Sequence, residues 1–274
     1  MYFFSDCIYA LLYYVIGYRK DVVMKNLSIA FPEKTEKERL RIAKDFYHQF
    51  IDTFIETIKL LSVNKEEFTR RTTANIEVIN QLYPTGQSVV LVSGHFFNWE
   101  FANLAMSGFS KFLFVGIYMT VSNKVFNRMI VKLRSKFGSI LISVNDFRKE
   151  YPAYKDQQHA IGLVADQNPT NPANGFWYPF FGKMAPFAKG PERNSKSLNA
   201  AIVTVNFYRT KRGYYNIQCD LLTTTPNEFA EGEITKQLVH FVEHAIRQNP
   251  SNYLWSHRRW KHQFDEEKYG HLVI

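Results

Sequence analysis

Short apolar segments of strand length alternate with amphipathic helical segments along most of this chain. The predicted strands are 88–93, 112–118, 139–144, 160–165, 201–208 and 214–222, and the predicted intervening helices are 98–108, 123–137 and 191–200. Such alternation is typical of an α/β fold, so we predict a central, mostly parallel sheet flanked by helices. Ligands of such sheets bind beyond the carboxyl ends of the strands, where polar residues are therefore of most interest.

The remaining segments extend this organisation. Apolar residues recur at helical spacing over 36–62, and Thr35 with Glu38 forms a potential capping box at the start of this helix. A last amphipathic helix is predicted over 234–248, and Arg212-Gly213 is predicted to join the last two strands as a hairpin. The segment 169–190, rich in Pro, Asn, Gly and aromatic residues, is predicted as a loop. No internal repeat is visible, and we expect one domain over 21–274.

The net charge and the aromatic content limit which classes of protein this sequence can belong to. The net charge of +9 favours anionic partners such as nucleic acid, phospholipid headgroups or an acidic protein. Aromatic residues make up 16% of the chain, and such rings suit a membrane interface or an acyl-chain tunnel as well as a core. A hydrophobic fraction of 46% excludes a disordered chain. The 2 cysteines exclude a disulfide framework, which favours the cytosolic side of a membrane.

Residues 1–20 form the most apolar part of the sequence. The segment 1–18 is rich in Tyr and Phe and is followed at once by Arg19 and Lys20. It is too short to span a bilayer comfortably, contains Asp6, and lacks the features of a signal peptide. We predict an apolar helix that anchors the protein at a membrane interface, with its basic end at headgroup level. The alternative is a hydrophobic terminal helix docked on the protein core.

The segment from Ser93 to Glu100, Ser-Gly-His-Phe-Phe-Asn-Trp-Glu, carries the sharpest chemical signal. On a continuous helix, His95 and Glu100 would lie about 140° apart. They can meet only if His95 lies on a strand-to-helix turn that Gly94 permits and that Asn98 caps. The carboxylate would then orient the imidazole, making His95 a general base for a hydroxyl group. The alternative is a structural histidine and a glutamate that only favours the helix start.

Other polar residues cluster near predicted strand and helix ends. Arg134 could hold a phosphate through its planar guanidinium group, or lie on a solvated helix face. Asp166, at the end of a predicted strand, could orient Arg134, bind an acceptor hydroxyl, or simply form a turn. The segment 255–262 interleaves Trp, His, Arg and Lys and suits a phosphate-rich lipid headgroup. No motif of a nucleic-acid-binding fold accompanies it, so we expect no nucleic-acid partner.

The order of these blocks resembles the late lauroyl and myristoyl acyltransferases of lipid A biosynthesis, within the lysophospholipid acyltransferase superfamily. The matching blocks are His95 with Glu100, Arg134, Ala165-Asp166-Gln167, Phe180-Phe181-Gly182, Gly190-Pro191-Glu192 and Trp255-Ser-His-Arg-Arg-Trp-Lys261. The ordered set extends over about residues 1–262 and is far more specific than any single block. It implies a glycerol-3-phosphate acyltransferase-like fold.

The resemblance also implies a reaction and its partners. A fatty acyl group would pass from acyl-acyl carrier protein to a hydroxyl of a lipid A precursor, at the cytoplasmic face of the inner membrane. His95 and Glu100 are expected to be catalytic, and Arg134, Asp166, Gln167, Arg258 and Arg259 to bind substrate. No metal or organic cofactor is expected, because a thioester donor is already activated. The alternatives are an acyltransferase acting on a glycerophospholipid or an aminoacyl lipid, and a non-enzymatic basic protein that binds membranes.

Overall fold

The computed structural model describes residues 1–164 and 166–274. In that part of the chain the strands are β1 Thr72–Ala74, β2 Val89–Ser93, β3 Leu113–Tyr118, β4 Ile140–Ser143, β5 His159–Val164, β6 Gly175–Phe180, β7 Lys183–Ala188, β8 Ala201–Lys211 and β9 Tyr214–Thr223. The helices of the same residues are α1 Tyr2–Ala10, α2 Lys20–Ala30, α3 Glu36–Leu60, α4 Lys65–Arg71, α5 Glu77–Asn80, α6 Trp99–Phe109, α7 Lys124–Arg134, α8 Phe147–Glu150, α9 Gly190–Leu198, α10 Glu233–Gln248 and α11 Glu266–Tyr269.

The described strands form a seven-stranded sheet in the order β1-β9-β8-β2-β5-β3-β4. Every pairing in it is parallel except the antiparallel pair of β8 and β9. The mostly parallel α/β fold is therefore confirmed, as is the hairpin through Arg212-Gly213. The end of the strand predicted over 160–165 includes Ala165, which lies outside the described residues.

Strand β2 is buried on both faces of the sheet. Val89 and Leu91 pack into the larger hydrophobic core, whereas Val90 and Val92 pack into a smaller core on the other side. Successive side chains of a strand point to opposite faces, so this division shows that both faces are covered. The flanking helices expected on each face are present.

The prediction of a loop over 169–190 is wrong, because β6 and β7 form a two-stranded antiparallel sheet within this segment. Their tight turn places Phe181 and Gly182 at φ of 51° and 73°. Two successive positive φ values suit the right-handed twist of a hairpin, and Gly182 adopts its value without a steric penalty. Gly182 is one of several glycines in this aromatic-rich segment, so it did not mark the position of the turn.

Helix α3 begins with the capping box expected from Thr35 and Glu38. Its second half is polar on the inner side: Asp52 and Glu56 are buried, whereas Phe54 and Ile58 are 45% and 57% exposed. The apolar residues that recur at helical spacing over 36–62 therefore do not all face the core.

Helix α1 packs one face against α3 and leaves its other face open. Tyr2 donates a hydrogen bond to Glu56 (2.9 Å), and Tyr9 stacks on His48. A π-helical stretch, Leu11–Ile16, continues α1 and ends at Gly17, whose φ is +67°. Among the described residues, no helix has both the length and the apolar character that crossing a bilayer requires.

Candidate active site

His95 lies on the turn that joins β2 to α6, at the carboxyl edge of the sheet. Gly94 is needed there, because a Cβ atom at this position would come within 2.9 Å of the Phe96 ring. Asn98 begins the helix at a φ of 65°, a left-handed conformation that asparagine tolerates better than most residues. The sequence predicted that the Asn98 side chain caps α6, and this prediction is wrong. The side chain donates instead to Glu56 Oε2 at 2.6 Å.

The segment 252–254 holds this turn from the outside. The Leu254 N–H donates to the His95 carbonyl oxygen at 3.1 Å, and the Phe97 N–H donates to the Asn252 carbonyl oxygen at 3.2 Å. Phe96 and Tyr253 form an isolated antiparallel bridge between the two segments. The backbone around His95 is therefore fixed on both sides.

His95 and Asp166 form a close pair across two neighbouring strands. The Nδ1 atom of His95 lies 2.7 Å from Asp166 Oδ1, and the backbone N–H of His95 donates to the same oxygen at 3.0 Å. The register of the parallel strands explains the contact, since Ser93 of β2 pairs with Val164 of β5. His95 and Asp166 each lie two residues beyond those partners, at the same edge.

The Asp166 carboxyl group is buried and ionised. Burial alone raises its pKa, but the charge of His95 and the hydrogen bonds from the His95 ring and backbone outweigh that effect and lower the pKa below its usual value. An ionised carboxylate can only accept, so an uncharged His95 ring would carry its proton on Nδ1 and leave Nε2 without one. The His95 side chain is 28% exposed, so a substrate can reach it.

Glu100 does not contact the imidazole, and the predicted pairing of His95 with Glu100 is corrected. The Glu100 carboxylate is buried, accepts from Trp99 Nε1 at 2.8 Å, and forms a bidentate ion pair with Arg134 at 2.8 and 2.9 Å. Asp166 takes the orienting position instead. Glu100, in the first turn of α6, thus contacts Arg134 at the end of α7 instead.

Arg134 is likewise not free to act as predicted. Its Nε and Nη2 atoms, the fork that would grip a phosphate, are occupied by Glu100. Its side chain is 19% exposed, so the solvated alternative does not describe it either. The Arg134 carbonyl oxygen also accepts from Asn103 at 2.9 Å. Arg134 therefore ties α6 to α7.

The other predicted substrate-binding residues lie in different environments. Gln167 is half-buried beside Asp166, and Arg258 is exposed. Arg259 is 1% exposed, and its guanidinium packs over the rings of Phe180 and Phe187 and donates to Asn168 at 2.6 Å. The guanidinium of Arg259 is thus enclosed by the protein, and the substrate contact predicted for it stays a prediction. Arg259 fixes the loop that carries Asp166.

Buried polar groups from the segment 253–259 lie near the His95–Asp166 pair. Burial raises the pKa of Tyr253, and the nearby Asp166 charge adds to the effect. Burial, assisted by the charge of Arg259, lowers the pKa of His257 to about 4. Burial also lowers the pKa of Arg259 to about 10, opposed by Tyr253 and Asp166. Within the described part of the chain, Nε and Nη2 of Arg259 have no hydrogen-bond partner.

Two buried carboxylates on α3, which were not predicted from the sequence, bind residues of neighbouring elements. Glu56 accepts from Asn98 and from the Tyr215 hydroxyl, both at 2.6 Å. Asp52 pairs with Arg209 and Arg212, each at 2.8 Å. Polar residues four apart within an apolar helical segment were the signal that could have revealed them.

Comparison with known proteins decides the family. The family described as bacterial lipid A biosynthesis acyltransferase matches residues 2–262. The chain belongs to this family. As a member it is an acyltransferase, and the non-enzymatic alternative is set aside.

The acyltransferase is similar to two proteins whose names refer to lipid A biosynthesis. One is the lipid A biosynthesis palmitoleoyltransferase of Escherichia coli (strain K12), and the other is the lipid A biosynthesis acyltransferase of Shigella flexneri. Each is 21% identical over 248 residues, which cover 89% of this chain and 79% of the relative.

Proposed function

We propose that this acyltransferase moves a fatty acyl group from acyl-acyl carrier protein to a hydroxyl of a lipid A precursor, with His95 as the general base. The observation that carries the proposal is the contact of 2.7 Å between His95 and the ionised Asp166 in a member of this family. The position of the pair at the carboxyl edge of the sheet supports it, because ligands of parallel sheets bind there.

The proposed reaction follows from the state of the pair. Nε2 of His95 removes the proton of the acceptor hydroxyl while its oxygen attacks the thioester carbonyl carbon. Asp166 keeps the other nitrogen protonated and stabilises the imidazolium that forms. The carbonyl–sulfur bond then breaks, and the imidazolium returns its proton to the leaving thiolate. Bond formation and cleavage balance without a cofactor.

The N–H groups nearest His95 constrain where the oxyanion is stabilised. Those of His95, Phe96 and Phe97 are already bonded to Asp166, Gly94 and Asn252. These three N–H groups are thus engaged within the protein.

Charge supports the two proposed substrates. An acyl carrier protein is acidic and a lipid A precursor carries phosphates, and the net charge of +9 attracts both. Arg258 is exposed and Gln167 half-buried next to Asp166, so we propose both as substrate contacts.

We further propose that residues 1–20 attach the enzyme to the cytoplasmic face of the inner membrane, with the acyltransferase domain over 21–274. On the open side of α1 and the following π-helical stretch, Phe3, Phe4, Val15 and Ile16 are each at least 60% exposed. Ser5 and Tyr2 on the opposite side bind Asp52 and Glu56. One face is thus docked on the protein while the other offers apolar area to lipid.

A substrate-exchange assay tests the proposal. The purified enzyme is given labelled acyl-acyl carrier protein or labelled acyl-coenzyme A, each with a lipid A precursor or with a lysoglycerophospholipid. The products are identified by mass spectrometry. We expect one acyl chain to be added to the lipid A precursor. Acylation of the lysoglycerophospholipid alone would contradict the proposed acceptor, and transfer only from acyl-coenzyme A would contradict the proposed donor.

A further inference from the structure

Exposed apolar side chains follow three adjacent strands at the carboxyl edge of the sheet. Tyr118 of β3 pairs with Ser143 of β4, and the next residues are Met119 and Val144. These two are 81% and 54% exposed, and Val164 at the end of β5 is 50% exposed. Neighbouring strands therefore end in apolar residues that the fold itself leaves in solvent.

The first turn of α7 enlarges this surface. Val125 is 76% exposed and Phe126 is 39% exposed. The Val121 N–H donates to Asn127 Oδ1 at 3.0 Å, which holds the connection from β3 against the start of this helix. We call Met119, Val125, Phe126, Val144 and Val164 the edge patch. A cluster of exposed apolar side chains of this kind marks an interaction surface.

Basic residues border the edge patch. Helix α7 contains no Asp or Glu, and its exposed charged residues are Lys124, Arg128 and Lys132. Lys124 lies in the first turn, where the helix dipole disfavours a cation, so its position is not explained by helix stability. Apolar side chains bordered by cations complement an anionic lipid surface.

The edge patch adjoins the candidate active site. Val164 pairs with Ser93, two residues before His95. Strand β8 runs parallel to β2 and extends past the same edge to Lys211, and Arg212 beyond it binds Asp6 of α1 at 2.6 Å. Helix α1 is thus docked at the end of the sheet where the edge patch lies.

We infer that the edge patch is a second membrane-contacting surface, occupied by an anionic bilayer, which turns the mouth of the active site toward the lipid. The inference rests on the proposed function, in which the acceptor is a lipid. Contact at two places would fix the orientation of the enzyme, whereas residues 1–20 alone would leave it free to pivot.

Vesicle binding of full-length variants tests this inference. The edge variant carries V125E and V144E. The control carries L221E, which alters an exposed apolar residue (47%) on β9, on the other side of β2 from β5, β3 and β4. A glutamate in the first turn of α7 is compatible with the helix dipole, so the edge variant should fold. Binding is measured by sedimentation with vesicles of phosphatidylethanolamine and phosphatidylglycerol, and with phosphatidylcholine vesicles.

We expect the edge variant to bind the anionic vesicles about tenfold more weakly, with the L221E control unchanged. A polarity-sensitive fluorophore on V125C in a C7S background should shift to the blue with anionic vesicles, and one on L221C should not. In detergent, acyl transfer by the edge variant should match that of the unmodified enzyme.

Two outcomes would overturn the inference. Unchanged vesicle binding together with an unshifted fluorophore would show that lipid does not cover the patch. Lost transfer in detergent with vesicle binding intact would identify a substrate chain as the occupant instead. Failure of the proposed function is separate, because it would appear in the unmodified enzyme as absence of the acylated lipid A product.

Discussion

At the scale of single residues, the carboxylates of Asp166 and Glu100 have different partners. Asp166 accepts from both the ring and the backbone of His95, whereas Glu100 is engaged by Arg134 and Trp99. The two carboxylates therefore predict different consequences when each is replaced.

Asp166→Asn should lower the turnover number by about 10²–10⁴-fold while the protein stays folded. The amide keeps the size of the side chain but no longer stabilises the imidazolium, and it can hold the ring in the wrong tautomer. Steady-state acyl transfer with a melting curve checks this. Turnover within about twofold of the unmodified enzyme would remove Asp166 from the mechanism.

His257 predicts how stability depends on pH. Its pKa is lowered to about 4, so the unfolded chain binds more protons than the native protein between about pH 6.5 and 4. The free energy of unfolding should therefore fall as the pH drops through that window. His257→Gln should make the fall shallower in urea titrations at pH 7 and 5, whereas replacing the exposed His244 should not. Equal slopes for both variants would contradict the burial of His257.

At the scale of secondary-structure elements, the Glu100–Arg134 ion pair joins the start of α6 to the end of α7. Both side chains are largely removed from water, so loss of one partner leaves the other charge poorly compensated. Glu100→Gln should lower the free energy of unfolding by about 3 kcal/mol.

A double-mutant cycle of Glu100→Gln and Arg134→Met separates this contact from other effects. We expect a coupling energy of about 1–3 kcal/mol. The same cycle on Asp265 and Lys268, a pair at the start of α11 whose side chains are 39% and 70% exposed, should give less than about 1 kcal/mol. Similar coupling in both pairs would show that Glu100 and Arg134 add no special link between the helices.

The elements that could be predicted from the sequence are those formed by interactions between residues close together in the chain. Strand β2 and helix α3 carry local patterns and were predicted, whereas β1 is three residues long and depends on pairing with β9. His95 and Asp166 were each singled out, but their pairing was not, because it arises from the register between β2 and β5. Reasoning within one segment favoured Glu100. The burial of Arg259 under two rings depends on the β6–β7 hairpin, which was also not predicted.

At the scale of the whole molecule, the distribution of exposed apolar residues predicts how the enzyme meets a membrane. The face of residues 1–20 that does not contact α3 supplies apolar area, and the net charge of +9 supplies attraction to anionic lipid. High salt alone should therefore release little protein from membranes, whereas detergent should release most of it.

Variants of this face give the direct comparison. Phe4→Glu combined with Val15→Glu should move the enzyme into the supernatant after ultracentrifugation, and L221E should leave it in the pellet. Unmodified enzyme that stays in the supernatant without detergent would contradict membrane attachment through residues 1–20.

The central claim is that His95 acts as a general base, and a single-turnover acyl-transfer measurement on His95→Ala tests it most directly. Enzyme in excess over labelled acyl-acyl carrier protein is mixed with the lipid A precursor in detergent, with His244→Ala as the matched control and melting curves for both. We predict a rate about 10²–10⁴-fold lower for His95→Ala and an unchanged rate for His244→Ala. A folded His95→Ala protein that transfers the acyl group at the unmodified rate would contradict the claim.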